Sequence, residues 1–332
     1  MLPIIQRQLY KFLIVIFILL IFSCGEKNPK AIIIGQSTGA VNSVTIIIND
    51  MLWNGEIGDS LRKKLAAPVD GLPQEEPLFT INQYPIKAID GAKVNNRNII
   101  IVKKEDRNVF DIKTDEFAKP QNVVHISGNS TAVILKNIQT NADLIIKKFK
   151  ETEIYAKQTS IRANLQSDAI LNKKFKVSMS IRKEYQYALV RPNFVWLKRE
   201  MVSGNNSILV YSVPFRTLLK NDNITNNIVA MRDSIEGNYI KSKVPNSRMV
   251  TENAYAPYFQ NIILDNKRTF ETKGTWELKG DFMSGSFINY AIIDRKKRRF
   301  VIVEGFCYAP STQKRDLMFE LEAIIKTIKI NN

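Results

Sequence analysis

Two apolar runs near the C-terminus, SFINYAIID (286–294) and RRFVIVEGF (298–306), flank a basic turn at Arg295–Arg298. A link this short cannot hold the crossover of about a dozen residues that parallel strands need, so the pair predicts an antiparallel hairpin. The segments YFQNIILD (258–265) and RTFETKGTWEL (268–278) come just before it, and FVIVEGFCYA continues to 309. All are rich in β-branched and aromatic residues and read as strands. A chain that places so many strands in succession must build an antiparallel sheet and cover it.

The covering elements are legible as stripes. Leu317, Leu321, Ile324, Ile325 and Ile328 form one apolar face, and the spacing predicts a closing helix that opens near Ser311. Ile224, Ile228, Met231 and Ile235 predict a helix capped by Asn223 and ended by Gly237. FKVSMSI, FVWLKRE and ILVYSVPF read as strands before it. The first half runs in a similar order. SVTIIIN (43–49) is a β-branched strand, and Trp53, Ile57, Leu61 and Leu65 predict a helix stopped by Pro68. After the Pro/Gly loop APVDGLPQEEP (67–77), the strands LFTINQY, NIIIVKK and NVVHIS lead into a long helix from Asn129 to about Lys157. The class is α+β with mostly antiparallel strands, in two sheet-and-helix units over 43–158 and 174–332, joined by a helical connector at 159–173.

The N-terminus predicts an address. Arg7 and Lys11 precede 11 apolar residues, Phe12–Phe22, and Ser23 and Cys24 follow. The run is shorter than the roughly 20 residues of a spanning helix, so 1–23 reads as a secretory signal peptide. A Cys after an apolar run and a small residue resembles the lipobox of bacterial lipoproteins, although Ile21 and Phe22 depart from its commoner pattern. The expectation is a lipid, palmitate included, on Cys24 and a polar tether over 24–42. Acyl chains contribute about 0.8 kcal/mol of membrane binding per buried methylene. No acidic cluster follows the anchor, so an outer-membrane position facing the periplasm is expected.

Removing residues 1–23 leaves 309 residues and lowers the formal charge from +16 to +14. Between Lys136 and Lys183, 11 Lys/Arg meet 4 Asp/Glu. This basic stretch and the Arg295–Arg299 turn fit anionic lipid or glycan in the envelope, and an exported chain is not expected to meet nucleic acid. With Cys24 acylated, Cys307 has no partner in the chain, which argues against a disulfide framework or a thiol zinc site. Cys307 then reads as a buried apolar thiol.

The catalytic motifs are weak. Gly35–Gly39 (GQSTG) matches a nucleophile elbow, but its strand follows Ser37 instead of preceding it. His125 is the only histidine, and in VVHIS it reads as a packed strand residue. Ser60–Lys63 and Ser311–Lys314 match S-x-x-K without the partner motifs, and helix capping accounts for Ser311. Carboxylates could work without histidine, and Asp70, Glu75 and Glu76 share the Pro/Gly loop while Glu277 and Asp281 flank another turn. Trp53, Trp196 and Trp276 read as core anchors, with loop stacking on sugars as the alternative. No cofactor or metal set is expected.

The stretches LWNGEIGDSLR (52–62), APVDGLPQEEPLFTINQ (67–83), NNIVAMRDSI (226–235), TENAYAPY (251–258), ETKGTWELKGDFMSG (271–285) and RDLMFELEAIIKTIK (315–329) resemble a lipoprotein family of Bacteroidota, domain of unknown function 4837. The resemblance covers about 40–330. It implies a lipid-anchored envelope protein and carries over no catalytic residue. The element order of the second unit also looks like the PsbP/Mog1 fold, whose members serve as binding or assembly modules. The expected function is a non-enzymatic binding or assembly module of the cell envelope, with an envelope protein as one expected partner. Its contact surface is sought at 67–77 or 274–285, with Asp70, Glu75, Glu76, Trp276 and Asp281 as candidates. The alternative is an envelope hydrolase acting on peptidoglycan or glycan through Glu75 or Glu76.

Overall fold

A computed structural model describes residues 34–331, and the chain from Gln36 onward forms one compact unit. The signal segment, Cys24 and the tether up to residue 33 lie outside the described residues.

The first sheet has five strands. β1 (Ser43–Ile48), β2 (Thr80–Tyr84), β3 (Asn98–Lys104), β4 (Val109–Thr114) and β5 (Asn122–Gly128) lie in the order β2-β1-β3-β5-β4. The first four are parallel, and only β4 runs antiparallel to its neighbour. This sheet departs from the mostly antiparallel pattern of the molecule, for a reason visible in burial. β1, β3 and β5 carry near-continuous apolar runs because both faces are covered, as interior parallel strands require. One face packs Ile46, Ile48, Ile100, Val102 and Val124 under helices. The other packs Ile47, Ile99, Ile101 and Val123 against Ile86, Ile89, Val94 and Phe117.

The helices over the first face are α1 (Glu56–Leu65) and α2 (Thr131–Arg162). A separate turn, Asp50–Trp53, precedes α1 and ends at Asn54–Gly55, so Trp53 is not part of the same helix as Leu65. α2 begins at the Ser130 cap and has 32 residues, about 48 Å at 1.5 Å per residue. It outlasts the predicted end near Lys157. Ile134, Ile138, Ile145 and Phe149 bury against the first sheet, whereas Ile154 and Ile161 reach the core of the second. One helix thus ties both layers together.

The second sheet has eight antiparallel strands. They are β6 (Gln186–Arg191), β7 (Phe194–Met201), β8 (Gly204–Pro214), β9 (Arg248–Thr251), β10 (Tyr258–Leu264), β11 (Lys267–Lys279), β12 (Ser284–Asp294) and β13 (Arg299–Tyr308). The order is β6-β7-β8-β13-β12-β11-β9, and β10 shares the outer edge of β11. The β12–β13 pair is the hairpin expected around Arg295–Arg298, with Asp294 opposite Arg299.

Between the strands lie α3 (Ala169–Phe175) and α4 (Ile224–Tyr239), and α5 (Arg315–Ile325) follows them. Strand alternation sends Ile208, Val210, Ile288, Tyr290 and Val303 to the face covered by Leu321, Ile324 and Ile325 of α5. Leu209, Tyr211, Phe287, Ala291 and Ile302 point to the opposite face, under Ile228 and Met231 of α4. The molecule is α+β. Asn223 caps α4, accepting from the Asn226 amide at 3.0 Å. Gly237 does not end α4. It lies inside the helix, where a Cβ would meet the Met249 carbonyl at 2.8 Å, so glycine there permits close docking of α4 on β9. α5 starts at Arg315, four residues later than expected, and Ser311 sits exposed in the preceding turn.

Candidate functional site

Residues 36–42, read as tether, are held by the fold. Ser37 donates its amide to the Lys119 carbonyl at 2.9 Å, and Thr38 to that of Asn95 at 2.8 Å. Asn42 is buried, donating its amide to Glu153 and its side chain to Asp316 at 2.9 Å. The only histidine, His125, places Nε2 2.7 Å from Glu116 Oε2, and among the described residues it makes no hydrogen bond to Ser37.

Glu75 and Glu76 do not converge as a catalytic pair. Glu75 is exposed to solvent. Glu76 is buried, and its two carboxylate oxygens accept the Lys314 and Arg315 amides at 2.6 and 2.9 Å. It caps α5, satisfying amide donors that have no partner within the helix. Trp276 offers no ligand surface: it is 1% exposed, and its indole N–H donates to the Cys307 carbonyl at 3.2 Å. Asp281 sits in the β11–β12 turn, where Oδ1 accepts the Phe282 amide at 2.7 Å. Cys307 is fully buried, and burial pushes its thiol up to about 11.

Of the candidates, Asp70 lines a cleft. A cleft of about 610 Å³ opens between α2, α5, the loop 67–77 and strands β11 and β12. Its residues on α2 include Asp143, Ile146, Lys147, Lys150, Glu151 and Ile154; those on α5 include Arg315, Met318, Phe319 and Glu322, with Lys326 just beyond. Both sets follow helical spacing, so one face of each helix looks into the cleft. Lys273, Phe287 and Ile288 form the strand wall, and Asp70, Gly71 and Leu72 form the rim. The rim is pinned. Val69 donates its amide to the Glu76 carbonyl, closing the loop on itself. Gly71 has φ +80°, and a Cβ there would meet the Gly274 nitrogen and Lys273 Cβ at 3.0 Å. Only glycine takes that conformation and that approach without strain.

Charge in the cleft is uneven. Glu322 pairs with Lys326, and lies 3.7 Å from the Lys273 amine. Lys273 also lies 3.3 Å from Glu271. Burial works against the Glu322 carboxylate, but Lys273 and Lys326 outweigh it and hold it at about 2. Burial also works against the Lys273 ammonium, and Glu322 with Glu271 raises its pKa nonetheless. Lys150 joins none of these pairs. Its pKa is lowered, first by burial and then by the like charge of Lys273. The side chain is accessible, and the space it opens into is the cleft.

Sequence reasoning missed Lys150, Lys273, Glu322 and Lys326 because they come from three separate elements. A second face beside each apolar stripe was the available signal: 143, 146, 147, 150, 154 on one helix and 315, 318, 319, 322, 326 along the other. The basic stretch 136–183 is not one surface. Lys157 and Arg182 turn to the buried Glu320, Lys148 pairs with Glu151, and Lys150 faces the cleft.

A second charged cluster is closed. Arg232 of α4 holds Glu304 of β13 through two bonds of 2.7 and 2.6 Å, beside Glu236, and all three are at most 1% exposed. Burial, then Glu304, pushes the Glu236 carboxyl well above the usual range. Among the described residues no group of three or more His, Cys, Asp or Glu is placed to hold a metal ion. No described helix is long and apolar enough to cross a membrane.

Residues 164–327 match the family model described as Domain of unknown function (DUF4837). Residues 37–162 match a separate one, Domain of unknown function (DUF8532). The single resemblance read over 40–330 thus divides at the end of α2. No curated protein matches the chain. Among solved structures, the Saccharomyces cerevisiae Ran-binding protein Mog1p is 10% identical, covering 46% of this chain and 89% of its own, with a TM-score of 0.31. A mutant of Mog1 is likewise 10% identical, covering 47% and 91%, with a TM-score of 0.29.

Proposed function

We propose, for a chain whose residues 164–327 match the domain-of-unknown-function family model DUF4837, a non-enzymatic binding role in the cell envelope, with a small molecule held in the cleft between α2 and α5. The cleft carries this reading. Its volume of about 610 Å³ falls within the roughly 300–1,000 Å³ of small-molecule sites, and its lining sets apolar residues of α2, α5 and β12 beside charged ones. The chemistry supports binding over acid–base work. A glycosidase-type reaction needs a carboxylic acid kept protonated near neutral pH, whereas Glu322 is held ionised at about 2. The N-terminal pattern adds the address: a lipid on Cys24 suspends the protein from the outer membrane, facing the periplasm. An envelope protein that receives or delivers the ligand is the further partner this role implies.

Native mass spectrometry of the protein isolated from its own cells tests the role. The expected result is an added mass of small-molecule size that an Ile154→Trp variant, filling the cleft, loses. Identical spectra for a folded Ile154→Trp and the parent would contradict it.

A further inference from the structure

We propose that the cleft takes a single-headed anionic amphiphile, its head group at Lys150 and its apolar body along Ile146, Ile154, Ile288, Met318 and Phe319. This inference rests on the binding role above and names the class of ligand.

The ammonium groups of the cleft differ in their partners. Lys273 and Lys326 already have a carboxylate, shared through Glu322. Among the described residues Lys150 has no such partner, and the charged groups acting on it are Lys273, Lys326, Glu322 and Asp70. Lys147, Asp143 and Glu151 line the cleft on the same helix. An ammonium set among like charges is stabilised by an incoming anion. A cation would meet Lys150, Lys273 and Lys326 together. A neutral head group would take Lys150 further out of water without compensation.

The carboxylates narrow the choice. Asp70, Asp143 and Glu151 lie in the same lining, so an extended polyanion such as nucleic acid would be repelled while entering. One compact negative head avoids this. The apolar residues come from α2, α5 and β12, so an apolar body is enclosed from three sides. The pinned rim at Gly71 keeps that enclosure formed before a ligand arrives, which limits the ordering cost of binding. A carboxylate and a phosphate monoester share the required chemistry.

The test uses the chain from Gly25 onward, which contains the whole compact unit, titrated calorimetrically with three probes of equal chain length: dodecanoate, dodecyl phosphate and dodecanol. At least one anionic probe is expected to bind ten-fold or more tightly than dodecanol, and the tighter of the two identifies the head group. Lys150→Ala is expected to abolish that preference while leaving dodecanol affinity within two-fold. Lys136→Ala is expected to change neither. Flotation with phosphatidylglycerol vesicles separates the sources: Lys150-dependent flotation assigns the head to a membrane lipid, and its absence assigns it to a free amphiphile. Equal affinity for all three probes, or an unchanged preference in Lys150→Ala, would overturn the anionic assignment and leave the cleft as a binding site. Binding of none of them would overturn this inference, while the native mass spectrum of the protein from its own cells decides the binding role separately.

Discussion

Glu76 caps α5 from 238 residues away, its carboxylate accepting the Lys314 and Arg315 amides at 2.6 and 2.9 Å. Arg315 returns the contact by donating Nη1 to the Pro77 carbonyl at 3.0 Å. The loop 67–77 is therefore a strut between the first sheet and the helix that closes the second. Because α5 also forms one wall of the cleft, the strut sets the shape of the site.

Glu76→Ala should cost about 1–3 kcal/mol, the range for a buried hydrogen bond to a charged group, with Glu75→Ala within about 0.5 kcal/mol of the parent. Urea denaturation measures both. Equal costs would show that the cap is not what holds the loop.

Gly71→Ala should destabilise by about 1–2 kcal/mol, the cost of a left-handed backbone at a residue with a Cβ. The rim should lift from Gly274, and hydrogen exchange at Val69–Leu72 should quicken. Unchanged exchange would mean that the rim is not pinned there.

Stability should respond to pH through Glu236. Its folded pKa is raised by burial and by Glu304, so the folded state binds this proton more tightly than the unfolded chain. The resulting stability is complete below the ordinary carboxyl value and is lost as pH rises through the folded value. Glu236→Gln removes a titrating group while keeping a partner for the Tyr211 hydroxyl, which donates to Glu236 at 2.9 Å. The variant should gain on the parent in denaturation midpoint from pH 5 to pH 9. A constant difference between the two would refute the shift.

Glu322 should act with the opposite sign. Held at about 2, it contributes stability above its ordinary value that is lost as pH falls toward 2. Glu322→Gln should therefore lose least, relative to the parent, at the acid end. A difference that grows toward acid pH would contradict the pairing with Lys273 and Lys326.

Local pattern made much of this fold legible, and long-range meetings hid the rest. The hairpin at Arg295–Arg298 and the stripe Leu317–Ile325 need only neighbours in sequence and stand as read, with Ile328 buried just past the end of α5. Asn223 was readable as a cap because it bonds three residues on. Glu76 performs a related task for α5 but looked like a candidate acid, since nothing near it in sequence shows a helix start 238 residues later. The parallel strands were hidden for another reason: β1, β3 and β5 pair in register only after crossovers, through α1 and β2 and then through β4, that the strand sequences do not encode. Lys150 looked like one more cation in a basic stretch. Its meaning depends on Lys273 and Lys326, which arrive from β11 and the end of α5.

The address remains a proposal of the N-terminal pattern, with a simple check. Cys24→Ala in the full chain should release the protein from the membrane fraction. Full retention would remove the anchor.

The most direct measurement of the cleft's role is photo-crosslinking in cells, with a photoreactive residue at Ile146 inside the cleft and a control at Val202, an exposed hairpin tip. The account predicts a small-molecule adduct at 146, identified by mass as an anionic amphiphile, and none at 202. No small-molecule adduct at 146, or equal adducts at both positions, would contradict it.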